Sequence, residues 1–140
     1  MTITIHTDGG SRGNPGKAAT GFIIDLPGQE RISHGEYIGE TTNNVAEYTA
    51  ILQALQHTVT ACKATQINPE DCKVQLFLDS ELAQKQLTHV YKIKNPGLKT
   101  LCQQIWNAEK PFDSVTYTHV KRHLNKDADA MVNRALDALS

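Results

Sequence analysis

The sequence predicts a single α/β domain over residues 1–140, built on a five-stranded mixed sheet flanked by helices. Three β elements joined by short connections open the chain, which is typical of an antiparallel meander. Strands then alternate with helical segments, which implies that the later strands pair in parallel. A chain of 140 residues has the length of one domain and buries enough apolar surface for a core without disulfides or a structural metal.

The first three strands are predicted within the first 39 residues. Residues 1–7 alternate apolar and polar side chains, which is the pattern of a strand, and Asp8 is expected at the end of this strand. Residues 9–16 contain four glycines and one proline, so a loop is expected there. The second and third strands, separated by a Pro-Gly turn, are predicted at residues 20–26 and 31–39.

At Asn44 the hydrophobic period changes and predicts a helix of about four or five turns. Either Asn43 or Asn44 is expected to be the N-cap of this helix. Residues 64–71 are expected to form the loop that ends it. The apolar face of the helix is predicted to contain Val45, Tyr48, Ile51, Leu52, Leu55 and Val59.

A nearly continuous apolar run at residues 73–78 predicts a buried central strand. Asp79 and Ser80 follow this strand, and Ser80 is expected to cap a short helix that ends near Leu87.

Two more helices and a last strand are predicted in the final third of the chain. Asn95 and Pro96 fit the N-cap and the first position of a helix that ends before Pro111. Residues 114–120 alternate as the last strand, and Asn125 is expected to begin the last helix.

Composition and charge exclude several functional classes. Fourteen basic against fifteen acidic residues give a net charge of −1, which excludes a polybasic mode of nucleic-acid binding. No apolar run approaches the roughly 20 residues of a membrane span, so no membrane partner is expected, and a monomer is the default expectation. Three irregularly spaced cysteines (Cys62, Cys72 and Cys102) predict free thiols, and hence a cytoplasmic location.

Four acidic residues are candidate functional groups. Asp8 and Asp79 follow strands that we expect to be parallel neighbours, and functional residues gather at the carboxyl ends of such strands. Glu47 and Asp129 lie on the flanks of apolar helical faces. Each has a structural alternative: Glu47 in a capping box with Asn44, Asp129 at a helix dipole, and the other two as turn formers. Clustered carboxylates repel one another without a cation, and an all-oxygen donor set suits Mg²⁺ or Mn²⁺.

Segments along the whole chain resemble the type 1 ribonuclease H family. The third of four matching motifs, Leu-Asp-Ser-Glu-Leu, contains Asp79, and the second is the Asn-Asn-x-x-Glu helix start that contains Glu47. The segment 91–96 is similar to compact bacterial and archaeal members that lack a basic protrusion. Four motifs in the family's order are specific, whereas any one alone is weak. The four motifs lie at residues 7–16, 42–48, 78–82 and 120–129.

The resemblance implies a ribonuclease H-like fold and endonucleolytic hydrolysis of the RNA strand of RNA/DNA hybrids, which leaves 5′-phosphate and 3′-hydroxyl ends. It implies that two ions, Mg²⁺ or alternatively Mn²⁺, are held by four carboxylates. It also implies that His123 assists proton movement and product release, although the segment between His123 and the last aspartate is shorter than in the best-known bacterial members. The carboxylates in this set are Asp8, Glu47, Asp79 and Asp129.

Contacts to the hybrid are expected from two further groups. Glycines let the backbone approach the RNA strand closely, and polar side chains offer hydrogen bonds to 2′-hydroxyls and base edges. The residues expected to bind the hybrid are Gly9, Gly10, Arg12, Asn14, Asn43, Asn44 and Ser80. The basic side chains that could follow phosphates are Lys92, Lys94, Lys99, Lys121, Arg122 and Lys126.

Two alternatives stay open at this stage. The same fold could serve a DNA nuclease, a resolvase or an exonuclease. A non-catalytic hybrid-binding protein is the alternative from another class, and it would be expected to have lost at least one of the four acids.

Overall fold

In the computed structural model, which describes residues 1–139, five strands form one sheet and four helices pack against it. The strands are β1 (Thr2–Gly13), β2 (Gly16–Asp25), β3 (Ile32–Thr41), β4 (Lys73–Leu78) and β5 (Ser114–His119). The helices are α1 (Asn43–Ala64), α2 (Glu81–Leu87), α3 (Pro96–Glu109) and α4 (Lys126–Asp137). The strand order is β3-β2-β1-β4-β5. The strand β2 pairs antiparallel with β1 and with β3, whereas β4 pairs in parallel with β1 and with β5. The predicted mixed sheet is therefore confirmed.

The predicted glycine-rich loop after Asp8 is wrong, because β1 continues to Gly13 and forms a hairpin with β2. The hairpin closes where Gly13 pairs with Gly16, so only two residues remain for the turn. A Cβ atom at position 9 would lie 2.2 Å from the backbone of Ala46. The glycine is therefore needed for direct packing of α1 on the strand rather than for a loop, and Asp8 lies inside the strand.

The N-cap of α1 is Thr42, not Asn43 or Asn44. Its Oγ1 accepts a hydrogen bond from the Val45 backbone N–H at 3.2 Å. The helix has 22 residues, or about six turns, so it is longer than predicted. Since the cap lies five residues before Glu47, the capping-box interpretation of this acid is also wrong.

The caps of α2 and α3 confirm the sequence prediction. The Ser80 Oγ accepts from the Ala83 N–H at 3.2 Å, and the Asn95 Oδ1 accepts from the Leu98 N–H at 3.1 Å. Pro96 occupies the start of α3, where its missing N–H leaves no donor unsatisfied.

The strand β4 is central, but it is buried on one face only, contrary to the prediction. Val74, Leu76 and Leu78 are fully buried, whereas Lys73 and Gln75 on the opposite face are exposed. The reason is that the helices do not cover both faces of the sheet equally. The larger core lies between the sheet, α1 and α3, while α4 packs on β2, β3 and the adjacent part of β1.

The strand β1 is placed between two helical layers. A Cβ atom at Gly21, which pairs with Asp8 on the neighbouring strand, would lie 2.5 Å from the Ala128 carbonyl oxygen of α4. Cross-strand partners point to the same face of a sheet, so Asp8 faces α4. Three buried cysteines are free thiols, and none of the helices within residues 1–139 combines the length and the hydropathy needed to span a membrane.

Candidate active site

Three acidic side chains converge where the parallel pairing of β1 with β4 ends. The last paired residues are Thr7 and Leu78, so Asp8 and Asp79 follow on adjacent strands. Glu47 joins them from α1, whose backbone rests on Gly9. One carboxylate oxygen from each of Asp8, Glu47 and Asp79 lies within 4.8 Å of the other two. The structure therefore brings together three of the four acids that the sequence singled out.

The fourth acid, Asp129, lies beside this group in the first turn of α4. It interacts with Asp8 through a side-chain hydrogen bond and through its charge, both of which raise the pKa of Asp8. Its Oδ2 also accepts a hydrogen bond from Asn133 Nδ2 at 3.3 Å. With Asp8, Glu47 and neighbouring residues, Asp129 lines a space of about 270 Å³ that we call the carboxylate cavity. Its lining is Asp8, Gly9, Gly10, Ser11, Arg12, Asn43, Glu47, Arg122, Asp129, Val132, Asn133 and Leu136.

Burial and mutual repulsion make the carboxylates difficult to ionise. Asp8 is 5% exposed, and its pKa is raised to about 8, first by burial and then by the charge of Asp79. The pKa of Glu47 is raised well above its usual value by burial, by the charges of Asp8 and Asp79, and by a hydrogen bond to Asp8. The pKa of Asp79 is also raised by burial. The cluster therefore carries unneutralised negative charge whenever its members are ionised.

Two basic side chains oppose this repulsion: the charge of His119 lowers the pKa of Asp79, and Arg122 acts on two of the acids. Arg122 lines the carboxylate cavity, and its charge lowers the pKa of both Glu47 and Asp79. Sequence reasoning named Arg122 only as one of several side chains that could follow phosphates. Its place beside the acids depends on tertiary contacts, which hydrophobic periodicity alone does not reveal.

These residues fit a divalent cation. The donor set consists of carboxylate oxygens, which are the ligands of hard ions such as Mg²⁺ and Mn²⁺. The Oε2 atom of Glu47 is buried and has no hydrogen-bond partner in the described chain. A buried acceptor without a partner is costly, and a cation in the cluster would satisfy it.

The predicted hybrid-binding residues divide into two groups. Gly9, Gly10, Arg12 and Asn43 line the carboxylate cavity. Arg12 also binds Asp137 of α4 at 2.6 Å, so its guanidinium is held at the edge of the cavity by a partner on the helix.

The remaining predicted contacts lie outside the cavity lining. Asn14 Oδ1 accepts from the Asn43 backbone N–H at 3.1 Å and thereby supports the residue that lines the cavity. Asn44 is exposed on α1, and the hydroxyl of Ser80 caps α2. These positions support a structural function for Asn14 and Ser80 beside any contact with substrate.

His123 lies in a neighbouring space and not in the carboxylate cavity. It is exposed within a 3₁₀ turn (Arg122–Leu124) that precedes α4. This second space has a volume of about 300 Å³, and we call it the histidine cavity. Its lining is His6, Ile23, Arg31, His123, Leu124, Asn125, Lys126 and Asp127.

Comparisons with known proteins show which chains resemble this one in sequence and in fold. A family model described as RNase H matches residues 1–140. The chain is 39% identical over 137 residues to Ribonuclease HI of Halobacterium salinarum, covering 96% of this chain and 64% of that protein. It is 34% identical over 140 residues to the bifunctional protein Rv2228c of Mycobacterium tuberculosis, covering 99% of this chain and 36% of that protein. The chain thus spans less than two thirds of these two curated relatives.

A solved structure provides a comparison over the whole chain. The crystal structure of LC11-RNase H1 in complex with an RNA/DNA hybrid is similar with a TM-score of 0.87 and 38% sequence identity. The match covers 99% of each chain.

Proposed function

The chain belongs to the RNase H family, and from this premise we propose that it hydrolyses the RNA strand of RNA/DNA hybrids. The cut is endonucleolytic and leaves 5′-phosphate and 3′-hydroxyl ends. The observation that supports this proposal most directly is the convergence of Asp8, Glu47 and Asp79 within 4.8 Å. A similar protein, LC11-RNase H1, has been solved in complex with an RNA/DNA hybrid.

The RNase H family is metal-dependent, and we propose that this chain uses Mg²⁺, with two ions bound in the presence of substrate and Mn²⁺ able to replace them. Asp8, Glu47, Asp79 and Asp129 would hold the ions. When bound, the ions supply an activated water and stabilise charge on the leaving 3′-oxygen. The raised pKa values of Asp8, Glu47 and Asp79 support this assignment, because the cluster is best ionised when a cation neutralises it.

The other residues of the cavity have binding and orienting functions in this proposal. Gly10 would let a sugar-phosphate backbone approach the strand closely, whereas the missing side chain of Gly9 makes room for α1. Arg122 faces the same cavity and would pair with a phosphate of the RNA strand. Asn43, which is held by Asn14, offers its side chain at the cavity edge. His123 would act from the adjacent histidine cavity on proton movement and product release.

A single gel experiment tests the proposed function. Labelled RNA/DNA hybrid, double-stranded RNA and double-stranded DNA are each incubated with Mg²⁺, Mn²⁺ or a chelator. We expect internal cuts in the RNA strand of the hybrid with either metal and none with the chelator. Cleavage of double-stranded DNA with the hybrid left intact would instead support the DNA nuclease alternative. Binding without any cleavage in Mg²⁺ or Mn²⁺ would support the non-catalytic alternative.

We also propose that residues 1–140 act as one catalytic domain, as a monomer, in the cytoplasm. One continuous sheet connects the first and last strands of the chain, which supports a single domain. The three cysteines are free and buried, which fits a reducing compartment. Light scattering on the purified chain tests the monomer, because a dimer would double the measured mass.

A further inference from the structure

We infer that Asn125 is a positioning residue that holds the segment bearing Asp129 against the segment bearing Asp8. The side chain is 1% exposed and lies directly before α4. Its Nδ2 donates a hydrogen bond to the carbonyl oxygen of Thr7 at 2.9 Å, and Thr7 precedes Asp8 on β1. Its own carbonyl accepts the backbone N–H of Asp129 at 3.2 Å. One residue therefore fixes α4 against β1 beside the carboxylates.

The same side chain acts on Asp79. Hydrogen bonding from Asn125 lowers the pKa of Asp79, against the effect of burial. An amide nitrogen carries two hydrogens, so the bond to the Thr7 carbonyl leaves one hydrogen of Nδ2 free for another acceptor. Neither an ionised aspartate nor an apolar residue at this position could donate the bond to Thr7.

Helix capping does not explain the presence of this asparagine. At an N-cap the side-chain oxygen normally accepts a backbone N–H of the first turn, as it does at Ser80 and Asn95. At Asn125 no such side-chain hydrogen bond forms. Its Oδ1 is buried without a partner among the described residues. The position buries an incompletely satisfied amide, so the feature that the fold uses is the hydrogen bond that Nδ2 donates to Thr7.

This inference rests on the proposed function, since it assigns Asn125 the task of holding the acids at the spacing that metal binding requires. Loss of the Nδ2 donor would free the start of α4, and with it Asp129, to move relative to Asp8. Substitution of a residue that orients a metal ligand by a hydrogen bond typically lowers metal affinity or activity by about 10–100-fold. Substrate contacts would remain, so the effect is expected on metal affinity and kcat rather than on KM.

The test compares Asn125→Ala with the wild-type chain and with Asn107→Ala, a matched control on the exposed surface of α3. Binding of Mn²⁺ alone is measured by titration calorimetry, and kcat and KM are measured on an RNA/DNA hybrid with Mg²⁺. For Asn125→Ala we expect a Kd for Mn²⁺ at least about 10-fold higher and a kcat about 10–100-fold lower, with KM within threefold. The Asn107→Ala control is expected to match the wild type.

A folded Asn125→Ala protein with wild-type Kd and kcat, even if its Tm is lower, would overturn the inference. Should this variant fail to fold, Asn125→Ser decides, because its side chain keeps a donor but is too short to reach the Thr7 carbonyl as the amide does. Intermediate losses in Asn125→Ser support the inference, and wild-type values refute it. If the wild-type chain cleaves no hybrid, the proposed function fails, while the Mn²⁺ titration still decides the positioning function of Asn125.

Discussion

The carboxylate cavity and the histidine cavity are neighbours, but they differ in how their charged side chains are paired. Opposite charges form ion pairs in the histidine cavity, whereas like charges are clustered in the carboxylate cavity. In the histidine cavity, Arg31 binds Asp25 through two hydrogen bonds of 2.9 and 3.1 Å and Asp127 through a third of 2.9 Å. In the carboxylate cavity, burial and the charges of Asp79 and Asp129 instead raise the pKa of Asp8, and burial and the charge of Asp8 raise the pKa of Glu47. The segment from Arg122 to Asp129 lines both cavities.

The difference shows where the fold leaves room for a ligand. Charges that are paired within the chain need no external ion, and exposed pairs of this kind contribute only about 0–1 kcal/mol each. Like charges that are buried together cost stability unless a cation binds them. The candidate site is therefore the cavity whose charge the chain does not neutralise itself, and the following predictions test that contrast from the largest expected effect to the smallest.

The largest effect is expected for Asp79→Asn. This change removes one metal ligand but preserves shape, so metal-dependent cleavage should fall by at least about 10³-fold. The charge of Asp79 raises the pKa of Asp8. Removal of this repulsive charge should therefore leave the Tm measured with a chelator unchanged or raise it. Initial rates and thermal melts measure the two effects. The control is Asp113→Asn, an exposed carboxylate next to the start of β5, at the opposite end of the sheet. Full activity in Asp79→Asn would refute the site.

The next largest effect concerns pH and metal. The pKa of Asp8 is 3.8 in its ordinary state and about 8 in the folded chain, so the folded state holds a proton that the unfolded state has lost. Stability without metal should therefore fall as pH rises from about 4 to about 8 and then level off. We expect the Tm in chelator to be about 5–10 °C lower at pH 8.5 than at pH 5.

Millimolar Mg²⁺ should remove most of this difference, because the cation neutralises the carboxylates that repel one another. The Asp8→Asn variant is the matched control, since it keeps the size of the side chain and loses the titration. Thermal melts over the same pH range measure both proteins. An equal pH dependence in the wild type and in Asp8→Asn would show that the carboxylate cavity is not the cause.

A smaller effect is expected for His123→Ala. The ring lies in the histidine cavity, so its removal should lower kcat by about 3–10-fold, less than the 10²–10⁴-fold typical of a general acid or base in contact with substrate. The Kd for Mn²⁺ should not change. Steady-state kinetics and calorimetry measure these quantities. A loss of kcat beyond about 100-fold would show that the ring reaches the carboxylate cavity.

The smallest effect is expected for Arg31→Gln. The side chain of Arg31 is 51% exposed, so loss of its solvent-screened ion pairs should lower the Tm by no more than a few degrees. The shift of Tm produced by Mg²⁺ should be the same as in the wild type. A reduced response to Mg²⁺ in Arg31→Gln would contradict the separation of the two cavities.

The sequence predicts the sheet and most of the acid cluster well, because both depend on strand ends. Asp8 and Asp79 could be placed together from two apolar strands and the rule for parallel neighbours. The sequence alone does not assign Glu47 to the acid cluster, since its position near a helix start also fits a capping box. That ambiguity disappears only when Thr42 is seen to cap α1.

Other features could not be predicted because they depend on contacts between distant segments. Four glycines in eight residues predict a loop, and nothing in the local sequence reveals that Ala46 of a later helix rests on Gly9. Likewise, Asn125 has the ordinary signature of a helix start. The direction of its amide, toward Thr7 and away from its own helix, is a property of the tertiary structure alone.

The absence of a side chain at position 9 has one more consequence. A single methyl group there would meet the Ala46 backbone at 2.2 Å, so even alanine would push the whole first helix outward. Glu47 is the next residue on that helix, so it would move away from the other acids together with the helix. The spacing of the carboxylates that would bind an ion thus depends on the missing Cβ atom at position 9 of the strand.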